Sequence, residues 1–124
     1  MDMLAVGKEL VALCRQGKNL EAIEKLYSPQ IISVEASEMQ GMSRQATGID
    51  AVRAKNQWWI DNHVIHGGEV VGPMPHGTNK FACLLRYDVT FKVTHQRMTL
   101  EEIAVYQVEN GKIVHEEFYY STPE

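Results

Sequence analysis

YQVENGKIVHEEFYY, Tyr106 to Tyr120, is the segment on which the reading of this chain turns. Its two arms are rich in Val, Ile, Phe and Tyr. Asn110-Gly111 between them supplies two residues that tolerate the positive φ of a tight hairpin turn. The segment therefore reads as the last two strands of an antiparallel sheet, the first running over Thr99–Val108 and the second over Lys112–Ser121. Upstream, Phe81–Val93 and Glu69–Gly72 have the same β-rich composition. The polar stretch Thr94–Arg97 marks one turn between these strands, and Pro73, Pro75 and Gly77 mark another. The second half of the chain is thus a four-stranded meander.

The first half follows a helical period. Apolar residues at Leu4, Val6, Leu10, Val11, Leu13 and Cys14 define a helix that stops at Gly17. Asn19 can cap a second helix, with Leu20, Ile23 and Leu26 on one face and Tyr27 and Pro29 at its end. Ile31–Ala36 crowds β-branched residues and reads as a strand. Ser37–Gly48 reads as a mobile connection with room for one short strand and reach enough to close over a pocket. Ile49–Val64 is the longest helical stretch, with Val52, Asn56, Trp59 and His63 on one stripe, and Gly67-Gly68 is expected to stop it. The expected fold is one α+β domain over residues 1–124: N-terminal helices packed into a strongly curved, mostly antiparallel sheet.

Composition bounds the function. The chain has 124 residues, 44% hydrophobic and 23% charged, with net charge −4. One domain of this size buries enough surface to fold without a disulfide or metal. An acidic balance without Lys or Arg runs gives no footprint for nucleic acid or an anionic membrane. No segment matches a membrane span or a signal peptide, so a soluble cytoplasmic protein is the expectation. Cys14 and Cys83 lack CxxC or metal-ligand spacing and read as buried thiols. No phosphate-cradle, dinucleotide or GxSxG motif is present, and the five scattered histidines make no ligand set, so no cofactor and no metal are expected. His63 and His66 are expected to close the third helix.

The order helix, helix, strand, helix, four strands resembles the nuclear transport factor 2-like superfamily, which includes ketosteroid isomerases and SnoaL-like polyketide cyclases. The likeness is carried by GKNLEAIEKLYSPQIISVE (Gly17–Glu35), GIDAVRAK (Gly48–Lys55) and Tyr106–Tyr120. The resemblance implies that sheet and helices enclose a cone-shaped pocket. It also implies that Glu116, Phe118 and Tyr120 of the last strand, and Glu102, Ala104 and Tyr106 of the one before, point into that pocket. The opposite parity would send Ile103, Val105, Ile113, His115, Glu117 and Tyr119 inward, and a one-residue bulge would exchange the sets.

Glu35 falls where ketosteroid isomerases place the proton-shuttling Asp, and a carboxylate in an apolar pocket suits a general base. Their enolate-holding donors correspond here to Leu10 or Val11 and to Ala104. None of these can donate, so ketosteroid isomerisation itself is not expected. Lys55 is read as a surface lysine or as the counter-ion of Glu102 or Glu116, because inward carboxylates are costly to bury without a cation. Trp59 reads as pocket wall, Trp58 as rim or subunit contact, and Tyr87 with Phe81 and Phe91 as core that reaches the pocket. Leu84, Arg86, Asp88, Thr90 and Lys92 read as a wet outer face that pairs two subunits.

The sequence therefore carries a small-molecule pocket protein. Its expected catalytic residues are Glu35 as base with Glu116 or Tyr120 as acid, and its pocket residues Lys55, Trp59, Tyr87, Glu102, Tyr106 and Phe118. Cofactor-free isomerase, cyclase, dehydratase or epoxide hydrolase chemistry stands against a non-catalytic dimeric ligand-binding or dimerisation module.

Overall fold

The Asn110-Gly111 turn forms as read. Both residues have positive φ, 52° and 75°, joining strand β5 (Gln96–Glu109) to β6 (Lys112–Tyr119). The structure, a computed structural model, describes residues 1–38 and 41–121. Before this hairpin come α1 (Met3–Arg15), α2 (Asn19–Leu26), β1 (Tyr27–Val34), β2 (Gln45–Thr47), α3 (Ile49–Asn62), β3 (His63–His76) and β4 (Lys80–Phe91). Six strands form one sheet in the order β2-β1-β6-β5-β4-β3. Only the β1–β6 pairing is parallel; the others are antiparallel.

Asp2 opens α1 by accepting a hydrogen bond from the Ala5 amide at 2.8 Å, satisfying one of the orphan donors of a helix start. Val6, Leu10, Val11 and Leu13 form its buried face and join Ile23, Leu26, Phe81, Tyr106 and Ile113 in the core. Gly7 permits the close approach of α1 to the sheet. A Cβ there would lie 2.8 Å from the Pro73 side chain.

Three sequence expectations are corrected. Gly67-Gly68 does not stop α3, which ends at Asn62. The β-branched pair Val64-Ile65 enters β3 opposite Thr90 and Val89, so the strand expected over Glu69–Gly72 spans fourteen residues. Gly68 lies in that strand opposite Tyr87, where a Cβ would come within 2.4 Å of the Tyr87 ring; glycine there lets the aromatic ring lie across the strand. Pro73 and Pro75 lie within β3 and not in a turn. β3 is an edge strand, where a missing N–H is tolerated, and the turn falls at Gly77–Asn79.

Strand β1 begins at Tyr27, four residues earlier than its β-branched run. The expected short strand within Ser37–Gly48 is β2, paired with β1 from Ile32 to Val34. Met39 and Gln40, on which part of the expected mobile closure falls, lie outside the described residues. No helix among the described residues is long and apolar enough to cross a membrane.

The parity question resolves through a bulge. Ala104 and Tyr106 of β5 are buried while Ile103 is exposed, so β5 has the expected parity. In β6 the register slips: Val108 faces Ile113, but Gln107 faces His115. The extra residue turns both Ile113 and Glu116 inward although they are three apart, and both are buried. One bulge thus takes a residue from each of the two alternative sets.

Candidate functional site

Strand β1 sends alternate side chains inward: Ile31, Ser33 and then, one residue beyond the strand, Glu35. The Glu35 backbone is held by Arg44, whose carbonyl accepts from the Glu35 amide at 2.8 Å and whose Nε donates to the Glu35 carbonyl at 3.0 Å. Its side chain lies at the wall of a cleft of about 1470 Å³ bounded by the sheet, α1 and α3. Lys55, from α3, places Nζ 2.9 Å from Glu35 Oε1, the two side chains being 11% and 12% exposed. The Tyr120 hydroxyl donates to Oε2 at 3.1 Å. Each carboxylate oxygen therefore has its own donor.

Behind this pair lies a second layer. Lys55 Nζ also donates to Ser33 Oγ at 2.5 Å, and Ser33 Oγ donates to Glu116 Oε1 at 2.8 Å. The Tyr27 hydroxyl donates to Glu116 Oε2. Glu116 is 1% exposed and lines, with Tyr27 and Tyr106, a separate cavity of about 50 Å³ instead of the large cleft. Burial pushes its carboxyl up, opposed by Lys55 and by the Tyr27 and Ser33 hydroxyls.

Of the sequence-derived residues, Glu35, Lys55, Trp59, Tyr87, Glu102, Phe118 and Tyr120 line the large cleft. Tyr106 and Glu116 sit behind it, with Tyr87 and Phe118 bordering both cavities. The direct partner of Lys55 is Glu35, not Glu102 or Glu116. It reaches Glu116 through Ser33, and its ammonium lies 5.3 Å from the Phe118 ring centre. Glu102 is the second carboxyl of the cleft. Burial, together with the nearby Glu35 and Glu116 charges, pushes it up to about 7.

Aromatic rings line the cleft further along α3 and onto β3 and β4. Trp59 stacks on His63 with ring centres 4.3 Å apart, and His63 stacks on Phe91 at 5.1 Å. Trp58 packs edge-on against His63 and lines the cleft with them. His63 does close α3, its Nδ1 lying 2.8 Å from the Trp59 carbonyl oxygen, whereas His66 faces Thr90 Oγ1 at 2.7 Å. Cys14 and Cys83 are free. Burial pushes their thiols up to about 12 and about 11, which leaves them poor nucleophiles.

Sequence reasoning missed Ser33 and Tyr27. Ser33 shares strand parity with Ile31 and Glu35, a signal that was available. Tyr27 read as the end of α2, and nothing local links it to a carboxylate 89 residues away.

Comparison with known proteins identifies the family and the fold. The sequence profile of the SnoaL-like domain matches residues 2–120. This chain belongs to the SnoaL-like domain family. A Mesorhizobium loti protein of known structure, provisionally assigned as a SnoaL-like polyketide cyclase, is 42% identical; the match covers 97% of this chain and all of that one, with a TM-score of 0.90. Two more distant structures share the fold. A nuclear transport factor 2-like protein of Burkholderia thailandensis is 16% identical, with TM-score 0.79 and coverage of 98% and 92%. A protein of Rhodopseudomonas palustris, provisionally assigned as an isomerase, is 17% identical, with TM-score 0.71 and coverage of 93% and 85%. No curated protein matches the chain. The SnoaL-like assignment agrees with the α+β class read from the sequence. The curved sheet supplies one wall of the cleft, and α1 and α3 supply the others.

Proposed function

We propose that this SnoaL-like protein is a cofactor-free acid/base enzyme that removes a proton from carbon beside a carbonyl in a small, partly apolar substrate. The observation that carries the reading is the pairing of two unlike carboxyls on one cleft. Glu35 has donors on both oxygens and Lys55 beside it; Glu102 is desolvated and holds its proton to about pH 7. A desolvated carboxyl that holds its proton, facing the same cleft as a carboxylate paired with a cation, divides the work into an acid and a base. Glu35 takes the carbon-bound proton, and the electron pair passes to the carbonyl oxygen. Glu102 hydrogen-bonds that oxygen, while the Tyr120 hydroxyl stays on Glu35 Oε2 and orients the base. Returning the proton at another carbon gives isomerisation. Attack of the enolate carbon on a second carbonyl, whose oxygen takes the Glu102 proton, gives cyclisation, the type of reaction named for the Mesorhizobium loti relative. Trp58, Trp59, Tyr87 and Phe118 supply flat apolar walls for such a substrate.

The experiment is a pH profile on any enolisable ketone that the protein turns over. Glu102 acts protonated, so kcat/KM is expected to fall as pH rises through about 7. In Glu102→Gln that alkaline limb should vanish. A limb that persists unchanged in the variant assigns the acid elsewhere.

A second reading concerns assembly. On the sheet face away from the helices, Val71, Leu84, Ile103 and Tyr119 stand directly opposite one another across β3, β4, β5 and β6. Ile103 is 49% exposed and Tyr119 51%. Arg86, bound to Glu69 and Glu101 at 2.7 Å each, forms a charged row alongside. An apolar band with a charged margin is the anatomy of a protein interface, and we assign it to a homodimer. Sedimentation should find a dimer at micromolar concentration for the wild type and a monomer for Ile103→Arg. A wild-type monomer would remove the proposal.

A further inference from the structure

The hydrogens around Glu116 all point one way. Tyr27 donates to one carboxyl oxygen and Ser33 to the other. Lys55 supplies the hydrogen bond to Ser33, which leaves the Ser33 proton free to go to Glu116. Glu116 is the one carboxyl fully buried among the described residues, and these residues leave no buried side-chain polar atom without a partner. Burial pushes the Glu116 carboxyl up, and a nearby cation opposes that rise. The cation sits one hydroxyl away, at Lys55.

We propose that Tyr27, Ser33 and Glu116 form a positioning device that fixes the Lys55 ammonium against Glu35 from behind the cleft wall. None of the three lines the large cleft, so none touches a molecule bound there. Lys55 has four backbone-to-Nζ carbon bonds to freeze, and a single contact with Glu35 would leave it free to swing. The Ser33 hydroxyl gives it a second fixed point, and Glu116 gives that hydroxyl its direction. Tyr27 holds Glu116 in turn. The charged or titratable groups facing this unit are Glu102 and Tyr106 from β5, Tyr120 beyond β6 and Cys14 from α1. None of these donates to Ser33, so the Lys55–Ser33–Glu116 chain is the one polar link among the described residues from Lys55 to Glu116.

This inference deepens the proposed role of Glu35, and its test needs no substrate. Hydrogen exchange of the Lys55 ammonium is read by nitrogen-detected lysine spectra, assigned with Lys55→Met. Ser33→Ala should accelerate that exchange about tenfold or more, as expected for loss of one hydrogen bond to a charged group. Ser33→Thr, which keeps the hydroxyl, should restore the slow rate, and Tyr27→Phe should give an intermediate acceleration. If Ser33→Ala does not fold, Tyr27→Phe carries the test. Unchanged exchange in the folded variants overturns the proposal, because a trio that only fills space would leave Lys55 as it was. Accelerated exchange alongside full turnover in Glu35→Gln would keep the positioning device and reject the catalytic reading.

Discussion

Replacing Lys55 by Met is expected to destabilise the folded protein by about 3 kcal/mol near neutral pH. Lys55 is the cation shared by Glu35 directly and Glu116 through Ser33, and it offsets the desolvation of Glu102 and Glu116. Met fills similar space and packs on the Phe118 ring but leaves three inward carboxyls with no positive partner. The deficit depends on pH in a set direction. Glu102 is raised from its ordinary 4.5 to about 7, so between those values the native state binds more protons than the unfolded chain. Stability falls as pH rises through that window and regains its value as pH falls back through it. Without Lys55, which holds Glu102 and Glu116 down, those two carboxyls are raised further, and the variant's deficit should be greatest at about pH 8 and shrink towards about pH 5. Urea unfolding of both proteins at the two pH values checks this. A deficit that is the same at both would mean that Lys55 contributes through packing alone.

Glu35→Gln carries the largest expected effect on activity, a loss of about 10²–10⁴-fold in kcat with KM little changed. Glutamine keeps the size and polarity of the side chain, so the cleft and its binding surface persist. It cannot accept the carbon-bound proton. Because the substituted group acts on a proton in flight and not on bound substrate, kcat and kcat/KM should fall together. The urea midpoint should fall, but by less than in Lys55→Met, because glutamine still accepts from Lys55 and Tyr120 and the ammonium keeps its link to Glu116 through Ser33. A raised KM with intact kcat would make Glu35 a binding residue.

Much of this architecture is legible in the sequence because its signals are local. Asn110-Gly111 sets a turn through the φ its residues tolerate, and the helical stripe of Val6, Leu10 and Leu13 identifies a buried face. The glycine pair at Gly67-Gly68 misleads for a physical reason: the same lack of a side chain that ends helices also lets the Tyr87 ring cross a strand, and only the tertiary neighbour decides between them. Pro73 and Pro75 mislead similarly, since an edge strand tolerates what a central strand does not. In the site, Lys55 is found from helix phase, and Glu35 and Tyr120 from the resemblance to ketosteroid isomerases. The division between cleft and interior is not, because the bulge between Ile113 and Glu116 shifts which side chains are sealed. The Tyr27–Glu116 contact joins residues far apart in sequence, and no periodicity encodes it.

The central claim, that Glu35 removes a proton from carbon inside this cleft, is tested most directly by isotope exchange. Small cyclic ketones and β-diketones with an aromatic substituent are incubated in heavy water with wild-type protein and with Glu35→Gln, and loss of the signal of the hydrogens beside the carbonyl is followed by proton NMR. The wild type is expected to accelerate exchange of at least one such compound above the buffer rate, with the acceleration lost in Glu35→Gln. Equal acceleration by both proteins would contradict the account.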